Sequence, residues 1–218
     1  MHLISHRGLD NHIYSENSLK AIEIALSKDY IDGVEFDVRI TKDKKIVLIH
    51  DPVIDLISNG SGIVKYMNFI DLDKYQYGKS KESIITLDNL LNKINTDKII
   101  LIELKEFGND FINLVEETVK IISKYNLNIY ISSFNYKLLN YIKSKYQNIK
   151  CGLIIGYGLN IIHLKNNFDF NIISSFYYKQ ASNSKLTFVF NTDKNSYEFN
   201  HNIYLITDTG FKFNKTYW

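Results

Sequence analysis

The chain is poor in cysteine, proline and tryptophan, with one of each, and it has almost no net charge. A single cysteine, Cys151, excludes an intrachain disulfide. It lies in the apolar run Ile149-Lys150-Cys151-Gly152-Leu153-Ile154-Ile155 and reads as core packing, because a free cysteine behaves as a small hydrophobe. The formal charge of +2, from 26 basic and 24 acidic residues, gives no global pull toward nucleic acid or a membrane surface, although it permits a local basic pocket. Runs such as Ile99 to Ile102 fall far short of the roughly 20 apolar residues that span a bilayer. The start, Met1-His2-Leu3-Ile4-Ser5-His6-Arg7, lacks a long apolar stretch and a small-residue cleavage site, so no signal peptide is expected and the cytoplasm is the default location, unless a leader has already been removed. Ile, Asn, Lys and Tyr are abundant instead, and their AT-rich codons point to a low-GC genome.

Apolar residues make up 45% of the 218, which suits one globular domain over 1–218 with a sizeable core. Short β-rich runs at 2–5, 33–38, 45–50, 98–104, 128–133, 149–155, 169–174, 185–191 and 203–207 alternate with amphipathic stretches. Helices are predicted over Ser18 to Ser27 with Asn17 as a candidate cap, over Leu87 to Ile94 opened by Thr86 or Asp88, over Phe111 to Tyr125, and over Tyr136 to Tyr146. This alternation predicts a parallel sheet flanked by helices, and eight or so strands in about 200 residues favour closure into a (β/α)8 TIM-type barrel. Two places break the pattern. Residues 39–44 are too few for a helix between parallel strands. Residues 52–97 form a long connection, and part of 52–83 within it reads as a hairpin or lid.

Charged residues gather at the ends of the predicted strands: His6-Arg7-Gly8, Glu35-Phe36-Asp37, His50-Asp51 and Glu103-Leu104-Lys105. In a β/α barrel those ends converge on one face, where the active site lies. Glu35 and Asp37, one residue apart on a strand, point the same way, and such a pair repels unless a cation intervenes or one acid is protonated. Glu103 is a candidate third ligand, and three carboxylates suit a hard divalent cation such as Mg²⁺, Ca²⁺ or Mn²⁺. No zinc-type Cys/His spacing is present. A Glu-x-Asp taken alone more often lies on the wet face of a sheet; apolar flanks and the neighbouring charged strand ends weigh against that here. His6 and His50 are candidates for proton transfer, and Arg7 and Lys105 for holding a phosphate. His2, His12, His163 and His201 read as structural or surface residues.

The segments His6-Arg7-Gly8, Glu16-Asn17-Ser18, Gly33-Val34-Glu35-Phe36-Asp37-Val38, Thr41-Lys42-Asp43 and His50-Asp51-Pro52 resemble, in order and spacing, the N-terminal signature of glycerophosphodiester phosphodiesterases. Asn59-Gly60-Ser61-Gly62, Ile85-Thr86-Leu87-Asp88 and Glu103-Leu104-Lys105 continue the resemblance; Ser132-Ser133-Phe134, Phe188-Val189-Phe190-Asn191 and Ile206-Thr207-Asp208 extend it sparsely to the end. The resemblance implies a β/α barrel with an insertion after the third strand. It implies Glu35, Asp37 and Glu103 as ligands of one divalent cation, His6 and His50 as the acid/base pair, Arg7 and Lys105 on the phosphate, and Glu16 in support. Four departures stand out. Ser15 replaces a Pro, with an expected effect on the start of the helix only. Ser18 replaces a Thr. Phe188 replaces a Trp expected to line the pocket. The Arg usual after His-Asp-Pro is not evident in Ile54-Asp55-Leu56-Ile57.

The expected activity is metal-dependent hydrolysis of a small glycerophosphodiester to glycerol 3-phosphate and an alcohol, with either water or the neighbouring glycerol hydroxyl attacking. Neither nucleic-acid binding nor stable membrane insertion is expected. An alternative is a lysophospholipase D or sphingomyelinase D-like activity on longer lipids, for which Tyr66, Met67, Phe69 and Ile70 offer a candidate apolar groove, although core packing is their commoner role. A third reading is a non-catalytic barrel binding a phosphate ligand or a protein; its mark would be loss of a carboxylate or a histidine, and neither is lost.

Overall fold

Runs rich in Ile, Val, Leu and Phe form nine strands in the computed structural model, which describes residues 2–8, 13–106, 109–156, 167–180, 185–190 and 202–208. The strands are β1 (His2–His6), β2 (Gly33–Ile40), β3 (Ile46–Leu48), β4 (Ile99–Leu104), β5 (Ile129–Ser133), β6 (Cys151–Ile155), β7 (Phe170–Ser174), β8 (Thr187–Phe190) and β9 (Ile203–Thr207). Eight of them run parallel and close a ring in the order β1-β2-β4-β5-β6-β7-β8-β9, with β9 returning to β1. The helices are α1 (Leu19–Leu26), α2 (Phe69–Leu72), α3 (Leu87–Lys93), α4 (Ile112–Ile122) and α5 (Tyr136–Lys145). No helix among the described residues is long and apolar enough to cross a membrane.

The expected strand over 45–50 is shorter and lies outside the ring. β3 pairs antiparallel with the far end of β2, with Val38 opposite Leu48 and Ile40 opposite Ile46. The turn between them is closed by Thr41, whose hydroxyl accepts from the Lys45 backbone N–H at 2.9 Å. Five residues leave room only for a hairpin, so the chain folds back before the crossover to β4. The connection after β3 builds its own small core from Val47, Ile49, Ile54, Val64, Leu72, Tyr77 and Ile84. It is hairpin-like in part, through the pairings of Val53 with Ile63 and Ser58 with Tyr77. The four residues considered for an apolar groove divide: Met67 and Phe69 pack on this small core, whereas Tyr66 and Ile70 are about two-thirds exposed.

Side chains alternate across each barrel strand. Val34, Phe36 and Val38 face outward to the helices, within a large core that includes Ile22, Leu90, Leu114 and Leu138. Ile4, Leu101, Ile154, Phe170, Phe188 and Ile206 fill the barrel interior. Two residues beyond Ile4, Leu101 and Ile206 stand His6, Glu103 and Asp208, and Glu35 joins them from β2, whereas Ile172 and Phe190 keep the other side of the mouth apolar. Ser18, not Asn17, caps α1, its Oγ accepting from the Ala21 N–H at 3.2 Å. Asn17 is committed elsewhere. Thr86 caps α3 as expected. α4 ends at Ile122, three residues before the predicted Tyr125, whose hydroxyl instead reaches Asp88.

Gly152 faces inward beside the largest rings of the interior. A Cβ placed there would lie 2.3 Å from the Phe170 ring. Gly152→Ala should destabilise the fold by about 1–3 kcal/mol through overpacking. Phe170→Leu in the same chain should recover part of that loss, a non-additivity readable by urea denaturation. Strict additivity of the two changes would show that the contact does not limit the packing.

Candidate active site

The site begins with a reversal of the chain after β1. Arg7 and Gly8 both adopt positive φ, 53° and 74°. A Cβ at Gly8 would meet the Ile22 backbone nitrogen at 2.7 Å, so this turn needs glycine. Arg7 carries a side chain in a left-handed conformation, at a cost on the order of 1–3 kcal/mol. The turn is tied down on several sides. The Arg7 N–H donates to Glu35 Oε2 at 3.3 Å, its Nη1 donates to Glu16 Oε1 at 2.9 Å, and its Nε lies 3.1 Å from Asp37 Oδ2. The Asn17 N–H bonds the Arg7 carbonyl, while the Asn17 amide side chain brackets Asp37, accepting from its N–H at 3.0 Å and donating to Oδ2 at 3.1 Å.

Glu35 and Asp37 project inward from β2, and Glu103 stands directly beside Asp37 on β4. One oxygen from each lies within 4.8 Å of the others, and all three residues are buried. Lys105 Nζ approaches Glu103 Oε1 at 2.8 Å and Asp37 Oδ1 at 3.1 Å. These are ion-pair distances without hydrogen-bond alignment, so both buried oxygens lack a directed donor. Burial, reinforced by the Asp37 charge, pushes the Glu35 carboxyl up to about 7 and Glu103 up to about 8. Burial also opposes ionisation of Asp37, yet Lys105 and Arg7 outweigh it and hold that carboxyl below its ordinary value. Three hard oxygen donors with two undirected lone-pair oxygens fit a divalent cation.

The imidazoles flank this cluster. His6 Nδ1 bonds the Asp208 carboxylate, and its Nε2 lies 3.7 Å from Glu35 Oε2. His50 Nδ1 bonds Asp51 Oδ1 at 2.7 Å. An ionised carboxylate only accepts, so each ring donates from Nδ1 and turns Nε2 toward the mouth. Burial works against the charged form of His6, but Asp208 and Glu35 overcome it and raise its pKa. Burial likewise disfavours charge on His50, with Lys105 and Arg7 adding to it, and its pKa falls despite Asp37. His50 is not at a strand end as expected; it lies two residues beyond β3. Arg39 fixes it there, with Nε donating to the His50 carbonyl and Nη1 to the Lys105 carbonyl, each at 2.8 Å.

All eight residues singled out in the sequence thus meet at the barrel mouth. His6, Arg7, Glu35, His50, Glu103 and Lys105 line a cavity of about 240 Å³, with Asp37 beneath and Glu16 behind Arg7. Its opposite wall is Phe134, Phe190, Ile154, Ile172 and Ile206. Phe188, expected to line the pocket, is fully buried in the interior with its ring 5.3 Å from those of Phe170 and Tyr204; Phe190, one inward step further, takes the pocket position. Asp208, Asp51, Arg39 and Asn17 were not assigned roles in the site from the sequence. Asp208 left a signal in the Thr-Asp closing the last strand, Asp51 by adjacency to His50, and Asn17 in the Glu16-Asn17-Ser18 segment, although it was read only as a cap; Arg39 left none. His2 is structural as read, stacked on Tyr204 and bonded to Asp32. His12, His163 and His201 lie outside the described residues.

A closed eight-stranded β/α barrel with paired imidazoles, clustered carboxylates and two cations at its C-terminal mouth defines a class of barrel enzymes whose chemistry sits at the strand ends. Residues 6–193 match the glycerophosphoryl diester phosphodiesterase family model, and the chain belongs to that family. It is 33% identical over 166 residues to a glycerophosphodiester phosphodiesterase of Caldanaerobacter subterraneus subsp. tengcongensis, covering 72% of this chain and 68% of that protein. It is 30% identical over 162 residues to Bacillus subtilis YhdW, covering 71% of this chain and 65% of YhdW. The chain thus spans about two-thirds of these relatives. A phosphodiesterase of Oleispira antarctica, solved with its product sn-glycerol-3-phosphate, shares the fold at a TM-score of 0.78 and 21% identity, over 89% of this chain and 85% of that one.

The raised carboxyls make a prediction about pH. Without divalent cations, folded Glu35 and Glu103 retain protons that an unfolded chain, with carboxyls near 4.5, has released. Their contribution to stability is therefore complete below pH 4.5 and is lost as pH rises through about 7 and 8. Asp37, shifted the other way, acts only below its ordinary 3.8, outside this window. Thermal melts in EDTA should show Tm falling across that range, with a flatter slope in Glu35→Gln/Glu103→Gln. Added Mg²⁺, Mn²⁺ or Ca²⁺ should raise Tm more at alkaline than at acid pH, since the ion competes with protons. An equal cation effect at both ends would contradict the shared-ion arrangement.

Proposed function

We propose that this protein hydrolyses glycerophosphodiesters to glycerol 3-phosphate and an alcohol, using one divalent cation and two histidines. The observation that carries this reading is the convergence of His6, His50, Arg7, Lys105 and three buried carboxylates on one cavity of phosphodiester size. Family membership and the product complex of the Oleispira protein support it.

Glu35, Asp37 and Glu103 hold the cation, which when bound polarises a phosphoryl oxygen and offsets transition-state charge. Arg7 contributes a planar fork of donors to the phosphate, and Lys105 a point charge. Glu16 and Asp37 fix the Arg7 guanidinium from two sides, so it needs little reorganisation when substrate arrives. One imidazole receives the proton of the attacking hydroxyl, from water or the adjacent glycerol carbon. The other gives a proton to the departing alcohol oxygen as the phosphorus–oxygen bond breaks. Asp208 and Asp51 keep each Nε2 available for this exchange. Phe134 and Phe190 cover the carbon face of the glycerol.

A lipid phosphodiesterase is the second reading, favoured by one observation: Leu56, Tyr66 and Ile70 stand out from the inserted connection with most of their surface exposed. Turnover of lysophosphatidylcholine exceeding that of glycerophosphocholine would select it.

His6→Ala and His50→Ala should each lower kcat by about 10²–10⁴-fold. EDTA should abolish release of glycerol 3-phosphate, and a divalent cation should restore it. Full activity in both histidine variants, or activity indifferent to EDTA, would overturn the mechanism.

A further inference from the structure

A second hollow adjoins the mouth, larger than it and differently lined. It measures about 560 Å³ and lies between Tyr14-Ser15-Glu16, which follow β1, and the inserted segments 56–59 and 76–81. A small cleft between them shares Glu16 and Ile57 with the hollow and His50 with the mouth. Glu16 marks the junction most directly, since its Oε1 is bonded to Arg7 Nη1. A diester held at Arg7 and His50 therefore has space for one of its two arms on this side.

The walls of the hollow are locked together. Ser15 donates from Oγ to the Tyr77 carbonyl at 3.1 Å and accepts from the Ser80 N–H at 3.1 Å; its N–H donates to Ser80 Oγ at 2.9 Å, and the two hydroxyls meet at 2.6 Å. Gly78 makes this approach possible, because a Cβ there would lie 2.4 Å from Ser15 Oγ. The replacement of a proline by Ser15 thus does more than shape the start of a helix: it fixes the inserted turn 77–80 against the site. Lys79 and Lys81 border the hollow from that turn. Both are exposed, and neither has an ion-pair partner among the described residues. The one carboxylate lining the hollow, Glu16, is engaged by Arg7. The free charge facing an incoming group is positive.

We propose that this hollow receives the departing alcohol of the substrate, and that Lys79 and Lys81 select alcohols that carry an anionic group of their own, such as a second phosphate. Within the hollow itself a quaternary ammonium would meet two ammonium groups and no carboxylate but Glu16, which Arg7 engages; Glu82 borders only the small cleft toward His50. The proposal rests on the phosphodiesterase reading above and names the substrate class of that same site.

The test compares two diesters that differ by one phosphate, glycerophosphoinositol and glycerophosphoinositol 4-phosphate, with glycerophosphocholine as a third substrate. At low ionic strength, kcat/KM for the phosphorylated diester should exceed that for its parent by about tenfold, as two exposed ion pairs of a few-fold each allow. The preference should shrink as salt screens it. Lys79→Glu/Lys81→Glu should erase or invert the preference, read as the ratio of kcat/KM for the two inositol diesters; Lys79→Ala/Lys81→Ala should do so more mildly. Both residues are exposed, and an unchanged Tm would verify folding. Equal turnover of the two inositol diesters, or a charge reversal that slows all three substrates alike, would sink the subsite alone. No glycerol 3-phosphate from any diester would sink the phosphodiesterase reading and the subsite with it.

Discussion

Three carboxylates buried side by side set the terms for everything around them. Ionised acids out of water repel one another and lose solvation, so the cluster persists only with compensating positive charge or retained protons. Asp37 is the pivot. It lies between Lys105 on one side and the Arg7 guanidinium on the other, with the Asn17 amide donating to it as well. That concentration of positive partners keeps Asp37 charged, and burial, reinforced by that charge, drives Glu35 and Glu103 toward protonation. The arrangement is unbalanced: the carboxylates outnumber the cations that touch them, and two of their oxygens have no directed donor.

The same constraint explains the strained turn after β1. Arg7 must reach back over the mouth while the chain leaves for α1, and only a left-handed pair of residues does both. Gly8 permits the close passage over Ile22, and Asn17 ties the start of α1 to the strand bearing Asp37. Electrostatics at the mouth and backbone geometry below it are therefore one problem, and a substitution at Gly8 or Asn17 acts on the site without touching a substrate.

Much of this was legible in the residues. Period-two alternation places Glu35 and Asp37 on one face, and the apolar positions two steps earlier, Ile4 and Leu101, mark where the interior ends and the mouth begins. Order along the chain picked out the eight residues that meet at the mouth. What was not legible depends on partners remote in sequence. His50 lies off the strand, and Arg39, eleven residues away, holds it by a backbone carbonyl, a contact no spacing rule encodes. Asn17 looked like a cap because its residue type favours one, but Ser18 took that role once Asn17 was drawn to Asp37. Phe188 and Phe190 share one face of a strand, and only the level of the barrel floor, set by the Phe170 ring over Gly152, decides which reaches the pocket.

The mouth is also asymmetric, and that bears on how a diester lies in it. One wall is aromatic and aliphatic, from Phe134 to Ile206; the other is polar, and behind Arg7 on that side Glu16 borders the lysine-lined hollow. A phosphodiester has two arms of unlike character, and a site with unlike walls binds them in one sense only. The glycerol, short and with a carbon face, matches the closed apolar wall. The alcohol, variable in size, matches the side with spare volume. Under the proposed function, orientation would follow from shape and polarity before any chemistry begins. The inserted segment, which looked like an interruption of the barrel pattern, is the element that builds the roomy side.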